Sequence, residues 1–275
     1  MVFDRDRSSW VGQTGPMNIS GRHVLVTGAS RGIGAAIARE FGSRGARVTV
    51  VARSKGPLET LATDIGGFAL AADLFDPSHV ASLLDKAEAL GGPVDILVNN
   101  AGMETTKSIV DTSESEVDEM IRLNLLVPIQ LSRMAMIGMT KRGSGHIVNI
   151  SSMAANGGFA GMSVYSASKS GLSHFTRIVR LDLKKTGVKV TNLEVGPVPT
   201  DLLANLTYEP AVKSFALFRR LRLMPNVEPE TVARKAADAV ESGKRAVWLP
   251  ARASLFGALT GASQRIAEQF LRFVR

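Results

Sequence analysis

A tyrosine and a lysine stand four residues apart in the segment Tyr-Ser-Ala-Ser-Lys, at Tyr165 and Lys169. If the segment is helical, the two side chains share one face and lie one turn apart. A free phenol ionises near pH 10, and a neighbouring cation favours the phenolate and lowers that pKa. The pair therefore predicts proton transfer by Tyr165 to or from a carbonyl or hydroxyl oxygen. The alternative is a pair that only decorates a helix surface.

The apolar run His23–Thr27 leads into a turn that contains three glycines, Gly28, Gly32 and Gly34. Gly28 allows a tight turn after a strand, and the other two let the backbone approach a pyrophosphate and let a helix pack on the strand. The first turn of that helix offers free N–H groups and the positive end of a dipole to phosphate. Three glycines alone can be plain turn residues, but their place between a strand and a helix predicts a nucleotide loop.

This loop, Thr-Gly-x-x-x-Gly-x-Gly from Thr27 to Gly34, and the Tyr-x-x-x-Lys segment resemble the classical short-chain dehydrogenase/reductase family, in particular its 3-oxoacyl reductases. The similarity extends from about residue 20 to about residue 250. It implies a Rossmann-type fold and an enzyme that moves a hydride between a nicotinamide and a substrate carbon.

The resemblance also implies a catalytic tetrad, which consists of Asn124, Ser152, Tyr165 and Lys169. In the family the asparagine holds a water that relays protons to the lysine, and the lysine holds the nicotinamide ribose. Ser152 stands 13 residues before Tyr165, which is the family spacing, and its hydroxyl is expected to donate a hydrogen bond to the substrate oxygen. Its neighbour Ser151 is the rival, but adjacent residues of a strand point oppositely. Taken alone, Asn124 on the helix after Thr112 could equally be a buried amide that bonds the backbone.

A cofactor site follows from the same resemblance. In the family, the residue matched by Asp73 binds the adenine, and the segment Asn99–Gly102 stabilises the sheet and lines the cofactor. One departure is Val195-Gly196-Pro197, which stands where the family usually has Pro-Gly, so the backbone that holds the nicotinamide carboxamide is expected to run slightly differently. The predicted cofactor-binding residues are Gly28, Ser30, Arg31, Gly32, Ile33, Gly34, Arg53, Asp73, Asn100, Ala101, Gly102, Tyr165, Lys169, Gly196, Val198 and Thr200.

The charge at the end of the second strand predicts which dinucleotide binds. A cofactor with a free adenosine ribose requires a carboxylate there, and the strand ends Val51-Ala52-Arg53 without an acid. A 2′-phosphate instead suits guanidinium groups, which bind phosphate oxygens in a planar fork. Arg31 and Arg53 therefore favour NADP(H) over NAD(H). The alternative is that both are ordinary surface residues.

Short β-rich runs alternate with segments of helical periodicity along the chain. The runs are too continuously apolar for a one-sided sheet, and the alternation predicts an α/β fold, a doubly wound, seven-stranded parallel sheet flanked by helices. We expect one domain at 21–250, after an N-terminal extension at 1–20 and before a tail at 251–275. The predicted strands are His23–Thr27, Arg47–Ala52, Gly67–Ala72, Val94–Asn99, Gly145–Ser151, Val188–Glu194 and Arg245–Leu249.

Two segments interrupt this alternation. The insert at 200–225 is rich in leucine and phenylalanine and is expected to cover the substrate, which favours a hydrophobic ketone such as an oxoacyl chain or a steroid-like compound. The alternative is that these side chains only pack the insert onto the sheet. The tail reads as a basic amphipathic helix, for which subunit contact is favoured over a membrane surface. The predicted lid residues are Leu202, Leu203, Leu206, Phe215 and Phe218, with Phe159 and Met162.

Composition excludes several other classes. The chain has no cysteine, which excludes disulfides, thiolate metal sites and a cysteine nucleophile, and its 4 histidines lack metal-ligand spacing, so no metal is predicted. The net charge is +8, but no basic run is interleaved with aromatic residues, so nucleic acid is not an expected partner. No apolar span of about 20 residues and no signal peptide are evident, and we expect a cytoplasmic homodimer or homotetramer.

The sequence thus predicts an NADP(H)-dependent oxidoreductase acting on CH–OH groups, which interconverts a hydrophobic ketone and its secondary alcohol with Tyr165 as general acid and base. Two alternatives stay open. One is a reductase of lipid ketones held at a membrane surface by its tail. The other is an NADP(H)-binding redox sensor without turnover, which loss of the tyrosine or lysine would indicate, and both are present.

Overall fold

The fold is built on one parallel sheet of seven strands. A computed structural model describes residues 17–156, 159–198, 208–209, 212 and 225–251. The strands are β1 His23–Thr27, β2 Arg47–Ala52, β3 Phe68–Ala71, β4 Ile96–Asn99, β5 Gly145–Ser152, β6 Val188–Val195 and β7 Ala246–Leu249. Their order across the sheet is β3-β2-β1-β4-β5-β6-β7, and all six neighbouring pairs are parallel. The predicted doubly wound sheet is confirmed.

Helices cover both faces of this sheet. One apolar core forms where Ile37 and Phe41 meet Val232, and a second core forms on the other face, with Leu83 and Leu131. The central strands β1 and β4 are buried along their whole length, which explains their unbroken apolar sequence. The helices are α1 Gly32–Ser43, α2 Lys55–Ile65, α3 Pro77–Gly91, α4 Glu114–Ile121, α5 Val127–Arg142, α6 Ser163–Asp182 and α7 Pro229–Ser242.

Strand boundaries differ from the predictions by one or two residues. The third strand starts at Phe68, because the N–H of Gly67 bonds the Ala62 carbonyl and so still belongs to the turn after α2. The fifth and sixth strands each run one residue further than predicted, to Ser152 and Val195. Because β5 and β6 pair over their full length, Ser152 lies opposite Val195 at the edge of the sheet.

Several predicted features lie outside the described residues. The tail beyond residue 251 and most of the N-terminal extension are among them, and so are Thr200 and the lid residues Leu202, Leu203, Leu206, Phe215 and Phe218. The single domain, its insert and its tail therefore remain predictions.

The helix that carries Asn124 is continuous from Glu114 to Arg142, with a π-helical turn at Arg122–Leu126 between α4 and α5. By length and composition it could cross a bilayer, with a mean hydropathy of 1.2 over 18 residues, although no apolar span of about 20 residues was expected from the sequence. Core helices pass the same test. Here Leu131 is fully buried in the core on one face of the sheet, so this side of the helix packs against the protein.

Polar side chains tie β4 and β5 to the helices beneath them. The buried Asn99 carboxamide donates hydrogen bonds to Ser132 Oγ at 3.0 Å and to Asn149 Oδ1 at 2.8 Å. Asn149 in turn donates to Thr176 Oγ1 of α6 at 2.8 Å. This chain of bonds fixes the two strands that end at the candidate site.

Replacing Asn99 by alanine is expected to lower the free energy of unfolding by about 2–4 kcal/mol, because it leaves buried polar partners unpaired and creates a cavity. Urea unfolding followed by circular dichroism measures the change. Asn226→Ala, at an exposed position, is the matched control and should change stability by less than about 0.5 kcal/mol. Equal effects of the two substitutions would contradict the role given to Asn99.

Candidate active site

The candidate site is a cavity at the carboxyl edge of the sheet. It has a volume of about 200 Å³ and lies where the strand order reverses between β1 and β4, the place at which ligands bind in open α/β sheets. Loops after β1, β4, β5 and β6 contribute to its walls. Predicted site residues that line it are Ile33, Asn100, Gly102, Ser152, Tyr165, Lys169, Gly196 and Val198.

The glycine turn after β1 is too crowded for side chains. A Cβ atom on Gly34 would lie 2.3 Å from the Gly28 carbonyl oxygen, and one on Gly28 would lie 2.7 Å from Ala101 Cα. Gly28 and Gly32 also have φ values of +66° and +57°. Arg31 is the N-cap of α1, and its side chain does not bond the first turn. The first N–H groups of α1, which lie at this edge, are therefore left without a side-chain cap. This cradle fits the diphosphate of a dinucleotide.

The loop after β4 is bonded directly to the glycine turn. The Asn100 carboxamide donates hydrogen bonds to the carbonyl oxygens of Thr27 at 3.0 Å and Gly28 at 3.1 Å. The Thr27 hydroxyl in turn accepts the backbone N–H groups of Asn100 and Ala101, at 3.0 and 3.1 Å. Asn100, Ala101 and Gly102 therefore hold the two strand ends together beside the predicted cofactor.

Asn124 is fully buried in the π-helical turn and bonds the backbone after β4. Its Oδ1 accepts the N–H of Met103 at 2.9 Å, and its Nδ2 donates to the Met103 carbonyl at 2.8 Å and to Ser168 Oγ at 3.1 Å. A Cβ on Gly102 would lie 3.0 Å from Asn124 Oδ1 and 3.4 Å from Lys169 Nζ, so the amide and the ammonium flank one glycine. Asn124 thus orders the backbone beside Lys169, and its water relay stays a prediction.

The two serines at the end of β5 point to different places. The Ser151 hydroxyl is buried against α6, where it bonds the Lys169 carbonyl at 3.1 Å and Ser173 Oγ at 2.7 Å. The Ser152 hydroxyl accepts the N–H of Ala154 at 3.1 Å and hydrogen-bonds the Tyr165 phenol. The geometry therefore favours Ser152 at the reacting centre.

Tyr165 and Lys169 lie on the first turns of α6 and face the cavity together. The Lys169 side chain is almost fully buried, and its Nζ lies 5.9 Å from the centre of the Tyr165 ring and donates to the Ile150 carbonyl at 3.0 Å. This bond ties the ammonium to β5, next to the serine. The helical spacing predicted from the sequence is therefore what brings the phenol, the ammonium and Ser152 to one cavity.

The electrostatics of this pair differ from the prediction in one respect. In the chain alone the pKa of Tyr165 is raised, first by burial and then by the carboxylate of Glu104, while the hydrogen bond with Ser152 acts in the opposite direction. Burial lowers the pKa of Lys169 to about 8, although Glu104 opposes the shift. The expectation that the pKa of Tyr165 is lowered is therefore wrong for the chain alone, because burial and the Glu104 carboxylate both disfavour the phenolate.

Glu104 is a residue of this cavity that the sequence interpretation missed. It follows the Asn-Ala-Gly segment after β4 and lines the same cavity as Tyr165 and Lys169. Burial raises its pKa to about 7, although the Lys169 ammonium acts in the opposite direction. Its place two residues after Gly102 was the available signal, because a side chain so close to the cofactor segment has to lie near the site.

Two predicted residues lie where β1 and β2 end. Arg31 precedes α1 and Arg53 follows β2, and the N–H of Ala29 bonds the Val51 carbonyl at 3.0 Å, which holds the glycine turn against the second strand. Both arginines are exposed, and the Arg53 guanidinium lies 5.8 Å from the centre of the Phe75 ring. Two cations therefore stand at adjacent strand ends.

Asp73 shapes the turn after β3. Its carboxylate accepts the N–H of Phe75 at 3.1 Å, and its own N–H donates to His79 Nδ1 at 3.2 Å. The adenine contact predicted for Asp73 stays a prediction. Among the described residues, no group of three or more histidine, aspartate or glutamate side chains could hold a metal ion.

The segment after β6 closes the cavity on its far side. The N–H of Gly196 bonds the Leu249 carbonyl at 2.7 Å, and a Cβ at Gly196 would lie 2.9 Å from that oxygen and 3.0 Å from Met153 Sδ. A side chain does not fit there, which explains why the glycine stands directly after Val195. The carbonyl of Pro197 accepts the N–H of Val227, which ties Pro197 to the residues just before α7.

Glu104→Gln is expected to stabilise the protein more at pH 8 than at pH 5. The carboxyl has a pKa near 7 when folded and 4.5 as its ordinary value, so the folded state holds the proton to higher pH and wild-type stability falls as pH rises between the two. The difference should be on the order of 1 kcal/mol, measured by urea unfolding at both pH values. The exposed Glu59→Gln is the control; a pH-independent effect at Glu104 would contradict the shift.

Comparisons with known proteins agree with this geometry. The model of the short chain dehydrogenase family matches residues 22–211. The ketoacyl reductase HetN from Nostoc sp. is 40% identical over 178 residues, which are 63% of this chain and 62% of that protein, so the match spans less than two thirds of it. The 3-oxoacyl-[acyl-carrier-protein] reductase FabG from Escherichia coli is 35% identical over 193 residues, 70% of this chain and 79% of that one.

Two further relatives extend the comparison. A fatty acyl-CoA reductase from Mycobacterium tuberculosis is 36% identical over 197 residues, 69% of this chain and 67% of that protein. The crystal structure of a short-chain dehydrogenase from Streptomyces avermitilis matches with a TM-score of 0.76 and 29% identity, over 92% of this chain and 96% of that chain. With its parallel sheet, its glycine turn and these matches, the chain belongs to the short-chain dehydrogenase family.

Proposed function

We propose that this protein is an NADP(H)-dependent oxidoreductase that interconverts a hydrophobic ketone and its secondary alcohol. The observation that carries the proposal is the meeting of Ser152, Tyr165 and Lys169 at one cavity of about 200 Å³, beside a glycine turn that fits a dinucleotide. Asn124 orders the backbone next to them. The names of the relatives, all reductases of acyl compounds, support a carbonyl substrate.

The chain's own residues supply the proton side of this reaction. A bound nicotinamide supplies or accepts the hydride. Tyr165 gives its phenolic proton to the carbonyl oxygen during reduction and takes it back during oxidation, while Ser152 donates a hydrogen bond to the same oxygen. Lys169, held by the Ile150 carbonyl, provides the positive charge that stabilises the phenolate formed when the proton leaves.

The preference for NADP(H) rests on charge. Arg31 and Arg53 stand at adjacent strand ends, where their two positive charges would suit an adenosine 2′-phosphate, and the Arg53 guanidinium lies 5.8 Å from the centre of the Phe75 ring. The second strand ends at Ala52 and is followed by Arg53 and Ser54, so the end of this strand carries no carboxylate for a free ribose. Both facts support a phosphate-bearing cofactor.

The hydrophobic character of the substrate rests on the walls of the cavity. Phe159 and Met162, from the loop before α6, line it together with Met153 and Val198. These side chains offer an apolar surface to a substrate body next to the polar reacting centre. The predicted lid at 200–225 would add to it, and both support an oxoacyl chain or a similar bulky ketone.

Subunit association and cellular location are part of the same proposal. The homodimer or homotetramer is expected from the family resemblance, with exposed apolar side chains such as Ile137, 47% exposed, and Ile178, 37% exposed, at the contact. The lack of cysteine suits a reducing cytoplasm. The redox-sensor alternative loses weight because both Tyr165 and Lys169 are present at the cavity.

Purified protein is expected to oxidise NADPH, and to do so faster than NADH, with at least one member of a panel of 3-oxoacyl thioesters, steroid ketones and aromatic ketones. Tyr165→Phe removes the proton donor and should lower kcat/KM by about 10²- to 10⁴-fold. The decrease in NADPH absorbance measures the rate.

The same assay contains its controls. Binding of NADPH to Tyr165→Phe, followed by the fluorescence of the cofactor, should stay within about twofold of wild type if the phenol acts in chemistry. Full activity of the variant would contradict the role of Tyr165. A preference for NADH would contradict the interpretation of Arg31 and Arg53.

A further inference from the structure

The Glu104 carboxyl is a polar group of the cavity that the proposed reaction does not use. It lines the same space as Ser152, Tyr165 and Lys169, and most of the remaining wall is apolar, with Phe159 as one part of it. Proton transfer and hydride transfer, as described above, require a hydroxyl, a phenol and an ammonium, but no second acid. The carboxyl therefore needs a separate explanation.

The Glu104 carboxyl has no hydrogen-bond donor in the part of the chain that the structure describes. Among the described residues, no hydrogen bond and no ion pair within 4.0 Å involves its oxygens, although the Lys169 ammonium is near enough to influence its ionisation. Lys169 donates instead to the Ile150 carbonyl. Glu104 is partly buried and lines the cavity, so its carboxyl oxygens can accept a hydrogen bond from a donor on a bound ligand.

The backbone that carries Glu104 is fixed. The preceding residue, Met103, is bonded through both its N–H and its carbonyl to the fully buried Asn124 carboxamide, at 2.9 and 2.8 Å. These bonds fix the point on the cavity wall from which the Glu104 side chain extends. This is the arrangement expected of a recognition group, whose partner arrives with the substrate.

The titratable groups near Glu104 bond other partners, so the Glu104 oxygens can accept a hydrogen bond from a substrate. Lys169 and Tyr165, both from α6, are the titratable groups that interact with it electrostatically. The Lys169 ammonium donates to the Ile150 carbonyl of β5, and the Tyr165 phenol is proposed to bond the substrate oxygen. A purely apolar ketone would displace water from the carboxyl without replacing the hydrogen bonds that the water donates. This is unfavourable for a polar group in an apolar cavity.

We propose that Glu104 determines substrate specificity by accepting a hydrogen bond from a second polar group of the substrate, an O–H or N–H donor that lies close to the reacting carbonyl. The substrate class is then a hydroxy ketone or amino ketone with an otherwise apolar body, together with the corresponding diol or amino alcohol. This inference rests on the proposed carbonyl chemistry and narrows its substrate.

A set of matched ketones tests the proposal by binding, separately from turnover. The probes are 2-octanone, 1-hydroxy-2-octanone, 4-hydroxy-4-methyl-2-octanone and 1-(dimethylamino)-2-octanone, titrated by calorimetry into the full-length protein saturated with NADP⁺. At least one donor-bearing ketone should bind about tenfold or more tighter than 2-octanone, since a site built for a polar group rejects the analogue that lacks it. Equal affinities across the set, or no binding by any member, would overturn the proposal.

Variants identify the carboxyl as the cause and the donor as its partner. Glu104→Met should abolish the preference, so that all four ketones bind within about twofold of one another. Glu104→Gln keeps an acceptor oxygen without charge and should retain a preference for a hydroxyl while it loses one for an ammonium. Glu114→Met makes the same change at an exposed position of α4 and should keep the wild-type ratio. A ratio unchanged in Glu104→Met would also overturn the proposal.

The outcome is distinct from that of the proposed function. If NADPH is not oxidised with any ketone while the Glu104-dependent binding preference holds, the carbonyl chemistry fails and the recognition role stands. If NADPH is oxidised but the matched ketones bind alike, the chemistry stands and the recognition role fails. Thermal unfolding of Glu104→Met in the presence of NADP⁺ shows that the variant is folded and still binds the dinucleotide.

Discussion

The site depends on one set of hydrogen bonds, by which the Asn100 carboxamide and the Thr27 hydroxyl join the ends of β1 and β4. These are the two strands between which the order of the sheet reverses, so the helices that follow them leave to opposite faces and a gap opens at the carboxyl edge. The bonds keep that gap narrow and bring the glycine turn against the segment that carries Gly102. Without them, the glycine turn and the reacting centre would be two separate loops.

Among the described residues that line the cavity, Glu104 and Lys169 carry opposite charges when both are ionised. Lys169 loses basicity through burial and Glu104 loses acidity through burial, while each acts on the other in the opposite direction. Burial and the Glu104 carboxylate both favour the neutral form of the Tyr165 phenol, so the chain alone holds it as a proton donor. A neutral phenol is the form that reduction of a carbonyl requires.

Much of this could be predicted from the sequence, because apolar runs and glycine spacing report on local structure. The seven strands and the choice of Ser152 over Ser151 followed from alternation along a strand and from family spacing. The π-helical turn at Asn124 could not be predicted, since no local pattern distinguishes it from an ordinary helix. Glu104 was missed, and the direction of the Tyr165 shift was wrong, because both depend on burial that only the packed structure defines.

The central claim is that this cavity transfers a hydride from NADPH to a ketone carbon while the chain supplies the proton. Reduction of a ketone substrate with NADPH that carries deuterium at both C4 positions of the nicotinamide tests it most directly, with mass spectrometry of the alcohol as the readout. The account predicts one deuterium on the carbinol carbon, and none on the hydroxyl oxygen after work-up in ordinary water. An alcohol without carbon-bound deuterium, or consumption of NADPH without any alcohol, would contradict it.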